Sequence, residues 1–265
     1  MNTLEAIVLG LVQGLTEFLP ISSSGHLLIV PKALGWDEPG AAFTAVIQLG
    51  TIAAVLLYFR RDLARIFAGW WRGVRDASQR DTTEYRIFWM VALGTIPIAV
   101  FGLIFKDQIE TIVRNVQLTA ILLIVFGLVM EVADRCFPER DELEQLTVRS
   151  GVLIGVAQAL ALVPGVSRSG STISAGRVLG LRRTDAARYS FLLSIPAVVL
   201  SGLFELRHVG EGLEAVPTLI ASVVAFISGY ASIAFLIGYL GRHSMTVFTV
   251  YRVALGVTIL LVLNL

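Results

Sequence analysis

The stretch QGLTEFLPISSSGH, residues 13–26, interrupts an otherwise apolar segment with a carboxylate, three serines and a histidine. A second apolar segment is interrupted in the same way by PGVSRSGSTIS, residues 164–174. Proline removes a backbone N–H donor and glycine tolerates unusual dihedral angles, so each interruption predicts a turn between two half-helices. The apolar residues on both sides extend these turns into two helical hairpins, which we place at 3–34 and 148–181.

The composition is that of a membrane protein. The chain has 265 residues, of which 55% are hydrophobic and only 15% are charged, and its mean hydropathy is +0.78. An ordinary soluble domain is about 25% charged. The net charge of +1 gives no basic excess for binding a nucleic acid. Cys136 is the only cysteine, which excludes an internal disulfide and a cysteine-based metal site.

Six further apolar runs reach the roughly 17–25 residues that cross a bilayer. They lie at 41–59, 86–105, 117–133, 187–205, 217–240 and 246–264, and we predict one transmembrane helix for each. The two interrupted segments are interpreted instead as re-entrant hairpins. Irregular backbone at membrane depth is tolerated only where it is buried in protein or faces a water-filled cavity. The two hairpin tips are therefore expected to face one shared interior.

Residues 10–25 repeat in residues 155–170, which lie 145 positions later. The identical pairs are Gly10/Gly155, Gln13/Gln158, Leu15/Leu160, Ser22/Ser167, Ser24/Ser169 and Gly25/Gly170. Each half contains one hairpin and three full helices, an odd number, so the second half is expected to be inverted relative to the first. We predict an all-α polytopic membrane protein of one domain, 1–265, with inverted-topology repeats at 1–135 and 148–265. In secondary transporters such repeats place a site near the bilayer midplane.

The basic residues predict the orientation in the membrane. Fifteen of the 21 Lys and Arg residues fall on one side of the predicted topology: seven in 60–86, three in 135–149, four in 177–188, and Arg242. Four fall on the other side, namely Lys32, Lys106, Arg114 and Arg207, while Arg168 and Arg252 lie within apolar segments. Because positively charged loops tend to remain in the cytoplasm, the richer side is predicted to be cytoplasmic.

The two tips carry groups suited to an anion. Gln13 and Glu17 are four residues apart and share one helix face. A half-helix that begins after serine or glycine directs free N–H groups and its dipole at a bound anion. A charged side chain in the bilayer core costs about 2.5–3.5 kcal/mol, so Glu17 and Arg168 are the strongest functional candidates. The remaining candidates are Gln13, Ser22, Ser23, Ser24, His26, Gly165, Ser167, Ser169 and Thr172, with Gln48 and Arg252 as further residues that could line the same cavity.

This set of groups suits a phosphoryl group better than a sugar or an amino acid, because phosphoryl transfer requires charge neutralisation and an in-line nucleophile. Arg168 and the backbone donors supply the neutralising charge. Three nucleophiles are consistent with the residues: Ser23 activated by a neighbouring base, His26 itself, or water held by a metal ion at Glu17. Each group also has a purely structural interpretation, since serines in membrane helices bond preceding carbonyls and a glutamine with a glutamate can join helices.

The two motifs resemble the signature regions of the bacterial undecaprenyl-diphosphatase family, which is associated with bacitracin resistance. The resemblance extends to VIQLGTIAAVL at 46–56 and VYRVALG at 250–256, and so covers nearly the whole chain. It implies hydrolysis of undecaprenyl diphosphate to the monophosphate at the outer face of the bacterial cytoplasmic membrane. That reaction recycles the lipid carrier for peptidoglycan synthesis. The resemblance also implies a divalent cation, Mg²⁺ or Ca²⁺, as cofactor.

Carried over by position, Ser23 and His26 are the candidate catalytic hydroxyl and imidazole, next to Glu17. The residues expected to bind the diphosphate are Ser167, Arg168, Ser169 and Thr172. Gln13 departs from the family pattern, in which relatives carry a second carboxylate at this position. An amide cannot hold a cation by charge, so Glu17 is the remaining protein ligand expected for a metal ion, together with oxygens of the substrate.

A transporter or flippase of a polyprenyl phosphate or another anion is the alternative, because inverted repeats are typical of transporters. The serine, histidine and arginine favour the enzyme, since transport requires anion binding but has no evident use for a serine beside a general base. The oligomeric state is open from the sequence, with a homodimer as one alternative. The expected partners are the lipid substrate and the bilayer.

Overall fold

The computed structural model describes residues 1–105, 108, 115–205 and 214–263. Lys106, Arg114, Arg207 and the last residue of the helix predicted at 246–264 lie outside the described residues. Within the described ranges the chain is helical, apart from turns and one isolated bridge between Asp141 and Leu181. The helices are α1 (Thr3–Phe18), α2 (Ser23–Leu34), α3 (Ala41–Tyr58), α4 (Arg60–Arg75), α5 (Thr83–Ile104), α6 (Val116–Cys136), α7 (Val148–Ala159), α8 (Arg168–Val178), α9 (Arg183–Glu205), α10 (Ala215–Leu240) and α11 (Thr246–Leu263).

Several of these helices can cross a membrane. Among the described residues α5, α6, α10 and α11 are each long and apolar enough to span, and α3 with α4 forms a fifth span if the pair, bent by 71°, is counted as one. The prediction of an all-α polytopic membrane protein is thereby confirmed. The span predicted at 187–205 lies in α9, which is not among these helices and begins with three charged residues in its first six. That span stays a prediction.

Helix α4 lies between Arg60 and Arg86, where the sequence predicts a basic loop and the structure has a helix instead. Its buried face carries Ile66, Gly69 and Gly73, and its first two residues, both arginines, are exposed. A Cβ atom on Gly69 would lie 2.3 Å from the Cβ of Glu84 in α5, so the two backbones approach closely. A helix with one apolar and one basic face is typical of the membrane interface. Density of arginine alone therefore did not distinguish a loop from an interfacial helix.

The two halves of the chain interlock through their hairpins. Helix α1 packs along α10, and α7 packs along α5, so each hairpin packs against a helix of the opposite half. Small residues allow this approach: a Cβ atom on Gly10 would lie 2.3 Å from the carbonyl oxygen of Ala221, and one on Gly155 would lie 2.1 Å from that of Gly94. Close backbone contact of this kind is how membrane helices associate. It holds the two hairpins in fixed positions.

Both hairpins break at a serine in the left-handed conformation. Ser22 has φ +76° and precedes α2, and Ser167 has φ +73° and precedes α8; within the described residues these are the two non-glycine positions with positive φ. Such a conformation costs about 1–3 kcal/mol and persists only where surrounding contacts impose it. The same strain recurs at two positions that are 145 residues apart, and both strained residues adjoin the candidate site.

A buried ion cluster joins helix ends on the side that carries the basic loops. Asp134 in α6 accepts hydrogen bonds from Arg177 Nε at 3.3 Å, Arg183 Nε at 2.6 Å and the Met245 N–H at 3.0 Å. Asp134 and Arg177 are 2% and 1% exposed, so neither charge is solvated by bulk water. The cluster ties together the ends of α6, α8, α9 and α11, and with them the outer end of the second hairpin.

Candidate active site

Glu17, in the last turn of α1, is the centre of a buried polar cluster. Its Oε2 accepts a hydrogen bond from Ser23 Oγ at 2.6 Å and from Gln13 Nε2 at 3.1 Å. Its Oε1 accepts one from Arg168 Nη2 at 2.8 Å. Gln13 lies one helical turn before Glu17 in α1, Ser23 is the first residue of α2, and Arg168 is the first residue of α8. Four of the sequence-predicted residues therefore meet at one carboxylate.

The two hairpin tips contact each other directly. The Gly165 N–H donates to Ser22 Oγ at 3.1 Å, and Ser169 Oγ donates to the Leu19 carbonyl at 3.0 Å. Gly165 has φ +97°, and a Cβ atom there would lie 2.6 Å from the Thr119 carbonyl oxygen. The candidate site thus lies at an interface between the two halves. Gly165 allows the close backbone contact at this interface, because it has no Cβ atom and accommodates a positive φ.

Arg252 clamps both tips from α11. Its Nη1 donates to the Pro20 carbonyl at 3.1 Å, and its Nη2 donates to the Gly165 carbonyl at 2.7 Å and the Val166 carbonyl at 3.1 Å. Its Nε donates to the Leu123 carbonyl at 3.2 Å, and the residue is fully buried. All three nitrogens are thus bonded to backbone carbonyls, two of them to carbonyls at the two breaks and Nε to a carbonyl of α6. A contact of Arg252 with the substrate stays a prediction.

Arg168 keeps a donor free for a ligand. Its Nη2 is bound to Glu17, whereas its buried Nη1 has no hydrogen-bond partner among the described residues. On the opposite tip, the side chain of Ser22 does not cap α2, so the first N–H groups of that helix are not satisfied by it. Helix N-termini with free N–H groups bind anions. Arg168 begins α8 and Ser23 begins α2, and both side chains are bonded to Glu17, so the starts of both half-helices adjoin this carboxylate.

His26 lies beside the cluster, and neither of its ring nitrogens is bonded to Ser23, so its catalytic role stays a prediction. Its Nδ1 lies 2.8 Å from the Ser22 carbonyl oxygen, and its Nε2 lies 2.7 Å from the hydroxyl of Tyr251. The two rings also stack, with centroids 5.6 Å apart and planes inclined by 8°. Ser23 is therefore bonded to Glu17, and the imidazole is bonded to the backbone of the first hairpin tip at Ser22.

The other candidates divide between the tips and more distant positions. Ser167 Oγ accepts from the Gly170 N–H at 3.2 Å and so caps α8, and Thr172 Oγ1 donates to the Arg168 carbonyl at 2.7 Å and lies 2.6 Å from Ser190 Oγ. Ser24 is exposed, with its hydroxyl 3.4 Å from that of Ser22. Gln48 is half-buried in the middle of α3 and is not part of the hydrogen-bonded cluster. Substrate contacts of Thr172 and Gln48 stay predictions.

The repeat places different residues at equivalent positions of the two hairpins. At the offset of 145, Leu162 corresponds to Glu17, Arg168 to Ser23, and Ser171 to His26. The second hairpin therefore lacks its own carboxylate, and its arginine pairs with the carboxylate of the first. Gln158, the counterpart of Gln13, is fully buried, and both of its side-chain polar atoms lack a hydrogen-bond partner among the described residues. One composite site results, instead of two symmetric ones.

The residues that the sequence interpretation missed are Tyr251 and Thr119. Tyr251 is adjacent in sequence to Arg252, in a motif already singled out, but a tyrosine in a membrane helix is an ordinary residue and gave no signal. Thr119 lies against both tips, 3.3 Å from where a Cβ on Gly25 would be and with its carbonyl against Gly165. Its hydroxyl is buried without a partner among the described residues. Only the packing of α6 on the tips identifies it.

The donor set does not form a ready-made site for a divalent cation. Within the described part of the chain there is no group of three or more His, Cys, Asp or Glu side chains that could hold a metal ion. Both oxygens of Glu17 already accept hydrogen bonds, one of them from a guanidinium whose positive charge opposes a nearby cation. Mg²⁺ and Ca²⁺ prefer oxygen ligands, and here one carboxylate is present. These residues alone do not fit a resident metal ion.

The arrangement can activate a hydroxyl next to an anion-binding surface. A carboxylate at 2.6 Å from Ser23 Oγ can take the proton of that hydroxyl as it attacks. A guanidinium in the same cluster, with one amino group unpaired, can neutralise the negative charge that develops on a phosphoryl group.

Comparison with known proteins agrees with this chemistry. A family model described as bacitracin resistance protein BacA matches residues 6–258. Undecaprenyl-diphosphatase of Mycobacterium sp. (strain KMS) is 54% identical over 270 residues, which cover 100% of this chain and 98% of that protein. Undecaprenyl-diphosphatase 2 of Streptomyces coelicolor is 49% identical over 282 residues, which cover 100% of this chain and 96% of that protein. Undecaprenyl-diphosphatase of Kineococcus radiotolerans is 53% identical over 262 residues, which cover 98% of this chain and 93% of that protein. Because the family model spans nearly the whole chain and these relatives match it from end to end, the chain belongs to the bacitracin resistance protein BacA family.

Proposed function

We propose that this protein is an undecaprenyl-diphosphatase, which hydrolyses undecaprenyl diphosphate to undecaprenyl phosphate and inorganic phosphate. The observation that carries the proposal is the Glu17 carboxylate, which holds the Ser23 hydroxyl at 2.6 Å and the Arg168 guanidinium at 2.8 Å. A base, a hydroxyl nucleophile and a fixed cation are the groups that phosphoryl transfer requires. The names of the relatives support the lipid diphosphate as substrate.

In the proposed reaction Ser23 Oγ attacks the terminal phosphorus of the diphosphate, and its proton passes to Glu17 Oε2. The bond between the terminal phosphorus and the bridging oxygen breaks, and undecaprenyl phosphate leaves with the bonding electrons. Glu17 passes this proton to the departing undecaprenyl phosphate and is ionised again. Water then attacks the phosphorus of the phosphoserine and gives a proton to Glu17, the bond between phosphorus and Ser23 Oγ breaks, and Glu17 returns the proton to Oγ as inorganic phosphate leaves. Arg168 Nη1 and the first N–H groups of α2 would bind the phosphoryl oxygens as their charge increases.

Two other nucleophiles remain alternatives. Water activated directly by Glu17 would give the same products without a covalent intermediate. Direct attack by His26 is disfavoured by the contacts of its ring, since both nitrogens are within hydrogen-bond distance of other groups. Rapid quenching of the reaction followed by mass spectrometry distinguishes these paths, because only attack by Ser23 leaves a phosphate on that residue.

The requirement for a divalent cation stays a prediction. Because the residues around Glu17 do not form a complete cation site, a Mg²⁺ or Ca²⁺ ion would have to bring most of its ligands from the diphosphate oxygens and water. Glu17 is the one carboxylate in the cluster that could add a protein ligand. The reaction steps above rely only on the residues of this chain.

We further propose that the protein resides in the bacterial cytoplasmic membrane with the site open to the periplasm or the cell exterior. The support is the bias of basic residues, fifteen of which fall on the side opposite to the proposed opening. At that face the enzyme would return the lipid carrier to peptidoglycan synthesis, and it would confer bacitracin resistance. A homodimer remains a prediction from the sequence.

Phosphate release from undecaprenyl diphosphate by the detergent-solubilised protein tests this function, because no compartments exist for transport. We expect release by the wild type, and little or none after Ser23→Ala. Ser201→Ala, at an exposed position of α9, is the matched control and should retain activity. Lipid binding without release would instead support a carrier or flippase.

A further inference from the structure

We infer that Tyr251 is a positioning residue, which fixes the tautomer and the orientation of His26. Its hydroxyl lies 2.7 Å from His26 Nε2, and the two rings stack with 5.6 Å between centroids and 8° between planes. The residues are 225 positions apart, on α2 and α11. The catalytic consequence of this contact rests on the proposed function, whereas the contact itself can be tested without it.

The hydrogen-bond geometry selects one tautomer. The Ser22 carbonyl oxygen, 2.8 Å from His26 Nδ1, is an acceptor only, so Nδ1 must carry a proton. In the neutral ring Nε2 then has a lone pair, which accepts the hydroxyl proton of Tyr251. A second partner that orients an imidazole and sets its tautomer is a recurring device in catalytic and metal-binding histidines. Tyr251 is the hydrogen-bond partner that the structure gives to Nε2.

The position of Tyr251 is itself strongly constrained. The next residue along α11 is Arg252, which donates to carbonyls of both hairpin tips and is fully buried. This clamp sets the rotation and height of α11 relative to the tips. Tyr251 is 44% exposed, whereas His26 is 6% exposed. The hydroxyl of Tyr251 thus joins the buried imidazole to a side chain that reaches the protein surface.

The contact reaches the nucleophile through the strained tip. His26 Nδ1 and the backbone N–H of His26 both bond to the carbonyl of Ser22, the residue held at φ +76°. Ser22 immediately precedes Ser23, whose hydroxyl is bonded to Glu17. A ring that rotates away from the Ser22 carbonyl would release one of the contacts that maintain this strained conformation. Tyr251 thus acts on Ser23 through His26 and Ser22, without touching the reacting atoms itself.

A tyrosine at a membrane surface often serves only as an interfacial anchor. Tyr230, which is 37% exposed on α10 and contacts the ring of Tyr58, provides the matched control for that role. Tyr251→Phe removes the hydroxyl and keeps the stacked ring, and Tyr230→Phe removes an equivalent hydroxyl that does not face His26.

The direct test is nitrogen NMR on a variant with one histidine. The chain has three histidines, and replacing His208 and His243 with glutamine leaves His26 as the only imidazole. We expect signals of the tautomer protonated at Nδ1, with Nε2 shifted as a hydrogen-bond acceptor. Adding Tyr251→Phe should shift the Nε2 signal towards that of an unbonded nitrogen, whereas Tyr230→Phe should leave it unchanged. A ring protonated at Nε2 in the parent, or an unchanged Nε2 signal after Tyr251→Phe, overturns the proposal.

The functional test is a double-mutant cycle on phosphate release. The loss of one hydrogen bond predicts that Tyr251→Phe lowers kcat roughly three- to tenfold, with KM changed less than about twofold. In a His26→Ala background the same substitution should have no further effect, because Tyr251 acts through His26. An equal loss in both backgrounds would overturn the positioning role. If the wild type releases no phosphate, the proposed function fails, while the NMR result still decides the tautomer.

Discussion

Arg168 and Glu17 form an ion pair of 2.8 Å between residues that are 151 positions apart. Their side chains are 12% and 7% exposed, and they belong to different hairpins. Removing one partner from a buried pair typically costs about 3–5 kcal/mol, because the other charge is left without compensation. The pair therefore both joins the two halves of the protein and sets the electrostatics of the proposed reaction.

Arg168→Lys distinguishes the effect of the positive charge at this position from that of the forked guanidinium shape. Lysine keeps one positive charge but lacks the fork that binds Glu17 with one amino group and leaves the other for substrate. We expect kcat/KM to fall by about 10- to 100-fold, and by more after Arg168→Ala, from the size of oxyanion-type contacts. The measurement is steady-state phosphate release, with Arg72→Ala, at an exposed position of α4, as the control. Near-normal activity of Arg168→Ala would contradict the proposed site.

Glu17→Gln removes the base but keeps the shape of the side chain. An amide cannot take the proton of Ser23 Oγ, so kcat should fall by about 100-fold or more, within the range observed for general bases. The amide leaves no cavity but leaves the Arg168 charge without compensation, so the free energy of unfolding should also fall, and kcat should be measured on protein that elutes as a folded species, well below its melting temperature. Retention of activity within threefold would show that Glu17 is not the base.

Metal dependence should require the diphosphate. Because the cluster offers one carboxylate, already bonded to Arg168 and Ser23, calorimetry should detect no saturable binding of Mg²⁺ or Ca²⁺ to the ligand-free protein. Binding is expected once a non-hydrolysable lipid diphosphonate is present, and Glu17→Gln should weaken it. Saturable cation binding without the diphosphonate would contradict the prediction that the diphosphate must bind first, and it would indicate a metal site among the protein side chains.

Gly165→Ala should destabilise the joined tips. The new Cβ would lie 2.6 Å from the Thr119 carbonyl oxygen at a residue with φ +97°. Gly35→Ala is the matched control, because Gly35 also has a positive φ, +68°, but nothing lies within 4 Å of a Cβ placed there. Strain from the dihedral alone is about 1–3 kcal/mol. We expect a clearly larger loss of thermal stability in detergent for Gly165→Ala, and equal losses would disprove the close contact.

Asp134→Ala should affect stability without affecting chemistry. It leaves Arg177, 1% exposed, without its buried carboxylate. The expected loss is about 3–5 kcal/mol of unfolding free energy. Thermal unfolding should show the loss, and kcat measured well below the new melting temperature should stay close to the wild-type value. A lowered kcat in the folded variant would place this cluster in the catalytic mechanism.

Several features of the fold and the site can be predicted from the sequence, because they depend on the free energy of placing single residues in an apolar segment. Apolar runs of spanning length identify the membrane class, since exposed apolar helices have no other stable environment. Pro20 and Pro164 indicate where those runs break, because proline removes a backbone donor. Glu17 and Arg168 stand out because a charge inside such a run is expensive unless it has a purpose.

The tertiary structure decided which of these groups meet. The same sequence was compatible with Ser23 bonded to His26 or to Glu17, and only the packing of the hairpins placed the hydroxyl on the carboxylate and turned the imidazole towards Tyr251. The sequence shows that Arg252 lies in an apolar run, but only the closeness of both tips makes it a clamp on their carbonyls. Local patterns determine which residues are costly to bury, whereas the arginine that compensates Glu17 lies 151 positions away and the hydroxyl bonded to His26 lies 225 positions away, and both contacts are set by how whole helices pack.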